Sequence, residues 1–494
     1  PPPPPPPSTV TLPALPTLIN FTYPTVTGKS WVVKAGDPLQ TILNQAQRGD
    51  EVVIQAGATF KGNFTLPAKT GNASNGWILV RSDMSARLPA QGTRITPASA
   101  PLMPKLESDD TGAALQTAAS ASGWWVSGIE LTLNPALKVN YGLVLLGDAT
   151  AAQNSLSLVP SDIVLDRVYV HASPTTPTSR CVALNSARTA VQDSYLFDCH
   201  LKGFDSQAIA GWNGPGPFKI VNNTLAGAGE NIMFGGADPK IANLTPSDIE
   251  IRNNYIYTPI SWMTTWTKKN LLEIKHAQRV LIEGNVLDGS WADAQVGYAM
   301  LFKSVNQGGN CNWCATRDVT VRYNIIQNAG AGFNLTGREG SNPHPVGELL
   351  NRVLIEQNIL RDIDTGPYTG DSKYFQLLQN LSNLTIRSNT MTSPAQVTQF
   401  LSIGSSPAAT NFDYQNNITT YGQYGLFSSA TGSGEAALGN IKGVVTFKNV
   451  VIIGALKLGY PNARFVPDAN AAAATGLGAN AAAVNSATAG VIIP

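Results

Sequence analysis

Four residues carry the acid–base chemistry this sequence offers most plainly: Glu230, Glu273, Lys275 and Lys303. Two carboxylates flanking a glycosidic bond can serve as acid and base, their separation deciding inversion or retention. A lysine beside a uronate can instead remove the proton next to its carboxylate and start an elimination, provided a cation neutralises that carboxylate. Trp212, Asn334, Arg338 and Gln376 would add an aromatic platform and polar contacts for a sugar ring. These residues sit on short β-prone runs at 206–212, 230–234, 271–275, 299–303, 333–336 and 374–378. If the apolar side chains of those runs point inward, Glu273, Lys275, Lys303, Asn334 and Gln376 point outward together, with Glu230, Trp212 and Arg338 nearby. An ion-paired face explains the same charges without catalysis. Calcium needs clustered carboxylates, and the nearest candidates, Asp193, Asp198 and Asp205, are expected on different faces.

The elements that position these side chains belong to a repeat. A nine-residue phrase recurs at 248–256, 279–287, 318–326, 352–360, 383–391 and 411–419. It reads as an alternating strand, a turn and a second short strand, with no helical period between copies. A period of 20–50 residues marks a solenoid, in which each repeat buries its apolar face only by stacking on its neighbours. The seventh position is Asn223, Asn254, Asn285, Asn324, Asn358, Asn389 and Asn417, spaced by 31, 31, 39, 34, 31 and 28 residues. Asn tolerates left-handed backbone angles and its amide can bond the amide of the next coil, so an inward ladder at a turn is predicted. The fifth position carries Arg252, Glu283, Arg322, Glu356, Arg387, Gln415 and Lys448. Its sign alternates as far as Gln415, which predicts a self-neutralising ladder fixing register.

These repeats resemble the right-handed parallel β-helix proteins of the pectate-lyase-like superfamily, over roughly residues 30–455. The resemblance implies an all-β fold: one single-stranded right-handed parallel β-helix of about twelve coils. It also implies an N-terminal capping helix, matched by residues 37–47 with Asp37 as N-cap and Pro38 in the first turn. The expected segments are a Pro/Thr-rich extended tail at 1–30, the cap and first coil at 31–60, the β-helix at 61–455 and an Ala-rich segment at 456–494. Activity is poorly specified, because this architecture hosts lyases, hydrolases, adhesins and fibres. The paired Asp motifs usual in the hydrolases of the superfamily are missing here. Trp124 and Trp125 are expected to pack beneath the cap.

Composition narrows the function classes. Charged residues make up 13% of the chain and the net charge is +1, which argues against nucleic-acid binding. No apolar run is long enough to insert in a membrane. The start at Pro1 reads as a trimmed or mature secreted form. Four cysteines fit an oxidising compartment, with Cys311 and Cys314 pinning a loop and Cys181 and Cys199 as a second staple. Four histidines without a ligand spacing predict no metal and no cofactor. Sequons at Asn20, Asn63, Asn72 and Asn243 are candidate glycosylation sites.

The seven prolines from Pro1 to Pro7 form a polyproline II rod. A β-prone strip follows, with Val10, Leu12, Leu18, Phe21 and Tyr23 as its assembly residues. Such a tail held by a neighbour builds head-to-tail assemblies. The expectation is therefore a secreted structural subunit of an extracellular filament, partnered by copies of itself and by glycans. The alternative is a polysaccharide lyase, a glycoside hydrolase or a glycan-binding adhesin on the same scaffold.

Overall fold

The computed structural model describes residues 9–394, 397–405 and 407–491. They form two compact units: Thr17–Thr267, and Lys268–Val491 together with residues 9–16. Pro1 and Pro7 of the heptaproline lie outside the described residues.

Within Thr17–Thr267 each coil contributes up to three short strands, and each strand pairs in parallel with its counterpart one coil away. The first sheet runs from Ser30–Val33 to Ser247–Arg252, the second from Thr59–Lys61 to Tyr255–Tyr257, and the third from Phe64–Leu66 to Glu230–Phe234. In the first sheet register is kept residue for residue, so Val126, Leu165, Val191, Ile220 and Ile251 form one buried column.

Lys268–Val491 is built in the same way. Its first sheet runs from Ala277–Glu283 to Ile441–Lys448, its second from Val286–Ser290 to Ala463–Val466, and its third from Leu272–Ile274 to Gly425–Ser428. Ile282, Val321, Ile355, Ile386 and Tyr414 make the corresponding column.

The asparagine ladder is present in both units. In the second, the backbone N–H of Asn285, Asn324, Asn358 and Asn389 donates to the side-chain oxygen of the next member at 2.9–3.0 Å. In the first, Asn223 does the same to Asn254 at 2.9 Å. The reason for Asn differs from the expectation. The left-handed backbone belongs to the residue before it, as at Asn253, Tyr323, Gln357, Ser388 and Asn416. The seventh residue is Asn because its buried amide satisfies backbone groups at a corner where the strand ladder is interrupted. The fifth-position ladder also forms, with Glu283 on Arg322 and Glu356 2.7 Å from Arg387.

The cap is shorter than expected. The helix spans Leu39–Gln45 and buries Leu39 and Leu43. Asp37 does not cap it, because its carboxylate instead accepts the Lys34 N–H at 2.7 Å. At the other end, the Ala-rich segment lies on the second sheet of its own unit. Ala472 and Leu477 pack on Ile418 and Val451, and the Gly478 N–H donates to the Asn416 carbonyl at 2.9 Å.

The N-terminal arm takes part in no strand, which corrects the β-prone reading of residues 9–27. Prolines remove the donors a strand needs. The arm is nonetheless held by its own chain. Phe21 sits edge-on to Trp77 and Tyr23 edge-on to Trp125, each at 5.3 Å. Trp125 therefore lies under the arm, while Trp124 points inward and donates to the Pro67 carbonyl at 3.1 Å. Among the described residues no helix is long and apolar enough to cross a membrane.

Replacing Asn358 by Ala removes the acceptor of the Asn324 N–H and empties a wholly buried amide position. We expect a loss of roughly 3 kcal/mol in chemical denaturation. Arg387→Ala on the solvent side is expected to cost under about 1 kcal/mol.

Candidate functional site

Stacking in register turns equal positions of successive coils into rows. On the third sheet of Lys268–Val491, Glu273 pairs with Leu301, then Asn334, then Gln376, and all four project from the outer face. The row is closed by its own interactions. Glu273 is completely buried, with Lys275 Nζ 2.8 Å from one carboxylate oxygen and the Asn270 and Gln295 amides on the other. Burial alone would raise the Glu273 pKa, but the charges of Lys275 and Lys303 outweigh it and hold the carboxyl below its ordinary range. Lys303 is itself 2.9 Å from Glu339, and the Asn334 amide donates to Gln376 at 2.9 Å. Arg338 is exposed at the end of its strand. Of the expected catalytic residues, Glu273, Lys275 and Lys303 thus form a buried ion-pair group with no open carboxylate.

Glu230 belongs to Thr17–Thr267, is completely buried and accepts the Gln207 amide at 2.8 Å. In that unit Trp212 carries the Arg180 guanidinium 5.0 Å from its ring centre. The two border a cavity of about 260 Å³ that Leu145 and Ala183 also line.

A denser cluster lies on the outer face of the second sheet of Thr17–Thr267, where the sequence offered only Asp198, as a calcium candidate. Strand pairing aligns Glu130, Tyr169, Tyr195, Thr224 and Tyr255 in one row. Beside it His171 is aligned with Phe197. Ring contacts run from Tyr169 to Tyr195 at 5.8 Å, on to Phe197 at 6.0 Å, and from Phe197 to Trp262 at 5.5 Å and Tyr257 at 6.4 Å. Tyr169, His171, Phe197, Tyr257 and Trp266 keep part of their surface open.

Two carboxylates bear on this strip and are tuned in opposite directions. Asp198 is desolvated by burial, which lifts its pKa to about 6 against the lowering effect of His171. Burial also acts to raise Glu130, but hydrogen bonds and charges from His171 and Lys105 outweigh it, and the net shift is downward. His171 Nε2 is 2.9 Å from Glu130 and Lys105 Nζ is 3.0 Å from the same oxygen. The Tyr169 phenol is pushed up first by burial, then by the charges of Asp198 and Glu130. The His200 imidazole, stacked on Trp266 at 3.9 Å and 3.7 Å from Asp198, is lowered to about 4 by desolvation. A carboxyl that holds its proton up to about pH 6, on the same strip as one kept ionised, is the arrangement that separates acid from base. The one signal for this strip was the eighth and tenth positions of the early coils. Tyr169, Tyr195 and Tyr255, then His171, Phe197 and Tyr257, stand there, where later coils carry Val286, Ile325, Ile359 and Ile418.

No protein-family model matches this chain, and no curated protein matches it. Solved structures do. A tailspike protein double mutant of E. coli bacteriophage HK620, in complex with a pentasaccharide, superposes with a TM-score of 0.52 at 12% identity, over 85% of this chain and 64% of that one. The fold is a parallel β-helix. Pectate lyase Pel9A matches with a TM-score of 0.38 at 9% identity, over 83% and 80% of the two chains. An alginate lyase from Paenibacillus sp. str. FPU-7 matches at 0.34 and 13%, over 78% and 95%. This chain spans just under two thirds of the tailspike's length.

The β-helix pairs its cysteines as Cys181–Cys199 and Cys311–Cys314. His276 lies within 4.8 Å of the second bridge. The sequon residues Asn20, Asn63, Asn72 and Asn243 are all exposed. The side chains of Asn63 and Asn72 are already engaged, with Asp110 at 2.8 Å and with the Ser74 N–H at 3.0 Å.

Two outcomes follow from the charge environments. Glu273→Ala removes the carboxylate 2.8 Å from the buried Lys275 ammonium and is expected to cost about 3–5 kcal/mol in thermal or urea unfolding. Asp198→Asn should do the reverse. Its folded pKa lies above the unfolded value, so its stabilising contribution is complete below about pH 4 and is lost as pH rises through about 6. The Asn variant is therefore expected to match the parent at pH 4 and to exceed it by up to about 3 kcal/mol at pH 8.

Proposed function

We propose that this chain is a carbohydrate-active β-helix protein that holds a glycan across the aromatic strip of Thr17–Thr267 and cleaves it with Asp198 as general acid. The observation that carries this reading is the opposite tuning of Asp198 and Glu130 beside partly exposed aromatic rings. Sugar rings present C–H faces that pack on aromatic side chains, and Tyr169, Phe197 and Tyr257 offer such faces. Asp198, protonated below about pH 6, gives its proton to the departing glycosidic oxygen. Glu130, ionised and fixed by Lys105 and His171, opposes the positive charge that develops on the sugar until a water oxygen bonds to the anomeric carbon and its proton returns to the Asp198 carboxylate. The pentasaccharide bound by a tailspike of this fold supports a glycan as ligand. Two disulfides support an extracellular setting.

A panel of neutral and acidic polysaccharides, followed by reducing-sugar release and by absorbance of unsaturated products, tests the reading. Asp198→Asn is expected to lower turnover at least about 100-fold while leaving glycan affinity within about twofold. Phe197→Ala is expected to weaken affinity about tenfold. The rate should fall as pH rises past about 6, because the acid form is lost. Turnover that survives in Asp198→Asn, or a rate that climbs through this range, would remove Asp198 from the chemistry. Binding without any product across the panel would leave a glycan receptor instead.

A further inference from the structure

The N-terminal arm is attached with a period of three. The Thr11 N–H donates to the Asn383 side-chain oxygen at 3.2 Å, and the Ala14 N–H to Asp318 at 3.1 Å. Three residues further on, in the other unit, the Thr17 N–H donates to Asp248 at 2.9 Å. Burial has the same period. Val10, Pro13, Pro16 and Ile19 turn inward, while Leu12, Leu15 and Leu18 are left 47%, 51% and 42% exposed. Three residues per turn is the repeat of polyproline II, and Pro13 and Pro16 favour it.

The acceptors share one place in the repeat. Asp248, Asp318 and Asn383 all occupy its first position, and all take left-handed backbone angles, with φ of 61°, 56° and 51°. That turn swings each side chain out of the strand ladder. Asp318, Arg352 and Asn383 stand in register on successive coils, so the two acceptors are two coils apart. Two coils amount to about 9.6 Å, and one polyproline II turn rises about 9.3 Å. The lengths agree, so the same residue of each turn meets the same position of every second coil. Arg352, on the coil between, offers no acceptor and instead clamps Asp318 at 2.7 and 3.0 Å. Asn383 is steadied by the Asn411 amide at 3.2 Å, and itself donates to Asn351 at 2.9 Å.

We infer that the first-position row of Lys268–Val491, where Asp318 and Asn383 receive the arm, is a polyproline II recognition site, read through one N–H in every three residues, and that the arm of a second copy of this chain can occupy it. The specificity rule is a donor at each third position, an apolar residue or proline before it, and no β-strand pairing. The chain's own arm holds the site by proximity. A second copy enters when that arm is loosened, which makes arm exchange the route to association. The inference is independent of the glycan reading, because no residue of the aromatic strip takes part.

Two measurements decide it. In the intact chain, amide hydrogen exchange at single-residue resolution should show Thr11, Ala14 and Thr17 protected at least tenfold over Leu12, Leu15 and Leu18. Equal rates would overturn the periodic attachment. The second uses a full-length chain carrying Thr11→Pro and Ala14→Pro, which keeps the extended arm but deletes two donors. A fluorescent peptide of residues 9–27 should bind this chain at least tenfold more tightly than the parent, whose own arm competes. Adding Asp318→Ala and Asn383→Ala should cut that binding tenfold, and a peptide with the same two prolines should be equally weak. A peptide that fails to bind, or binds regardless of those prolines, refutes the recognition site.

Discussion

Everything in this molecule depends on parallel pairing between coils at a fixed spacing of about 4.8 Å. Each strand satisfies its backbone only through the strand one coil away, so register cannot slip without breaking a whole ladder. The consequence is that equal positions of the repeat become continuous rows, and a row is either compatible with itself or very costly. The inward columns are apolar, the corner row is Asn because its amide can bond its own kind, and the fifth-position row alternates in sign. Chemistry and recognition are confined to whatever rows remain on the outer faces.

Those outer rows are used differently in the two units. In Lys268–Val491 the second sheet is covered by the chain's own Ala-rich end, and the third sheet closes on itself through Glu273, Lys275, Lys303 and Glu339. In Thr17–Thr267 the second sheet carries the aromatic strip, with Asp198 desolvated and Glu130 fixed as an anion. Both units repeat the same three-sheet plan, so the difference lies in the side chains of the rows and in the segments that fold over them. Function here is a matter of which row is left open.

The arm obeys the same geometry. A segment too rich in proline to pair as a strand can still follow the stack if its own pitch matches a multiple of the coil spacing. The residues that receive it are those left-handed turns place outside the ladder. In Thr17–Thr267 the arm, which in sequence suggests a tail held by a neighbouring chain, lies over its own Trp77 and Trp125 through Phe21 and Tyr23.

The sequence by itself determined the stacked architecture, the asparagine corner and the alternating charge row, because each is a property of one repeat read against the next. It also suggested both cysteine pairs from spacing. It misplaced the left-handed residue by one position, since the amide that bonds and the backbone that turns are neighbours in the chain. It placed Glu273, Lys275 and Lys303 together on an outer row, with an ion-paired face as one reading, but did not show that the row is closed to solvent. Whether a charge on an outer row meets solvent or a partner depends on the loops that fold over it, such as those bringing Asn270, Gln295 and Glu339. The aromatic strip stayed hidden for the related reason that Tyr169, Tyr195 and Tyr257 are 26 and 62 residues apart in sequence and meet only through stacking. Tertiary structure alone decided which faces were covered, because desolvation is set by what lies above a side chain and not by its neighbours along the chain.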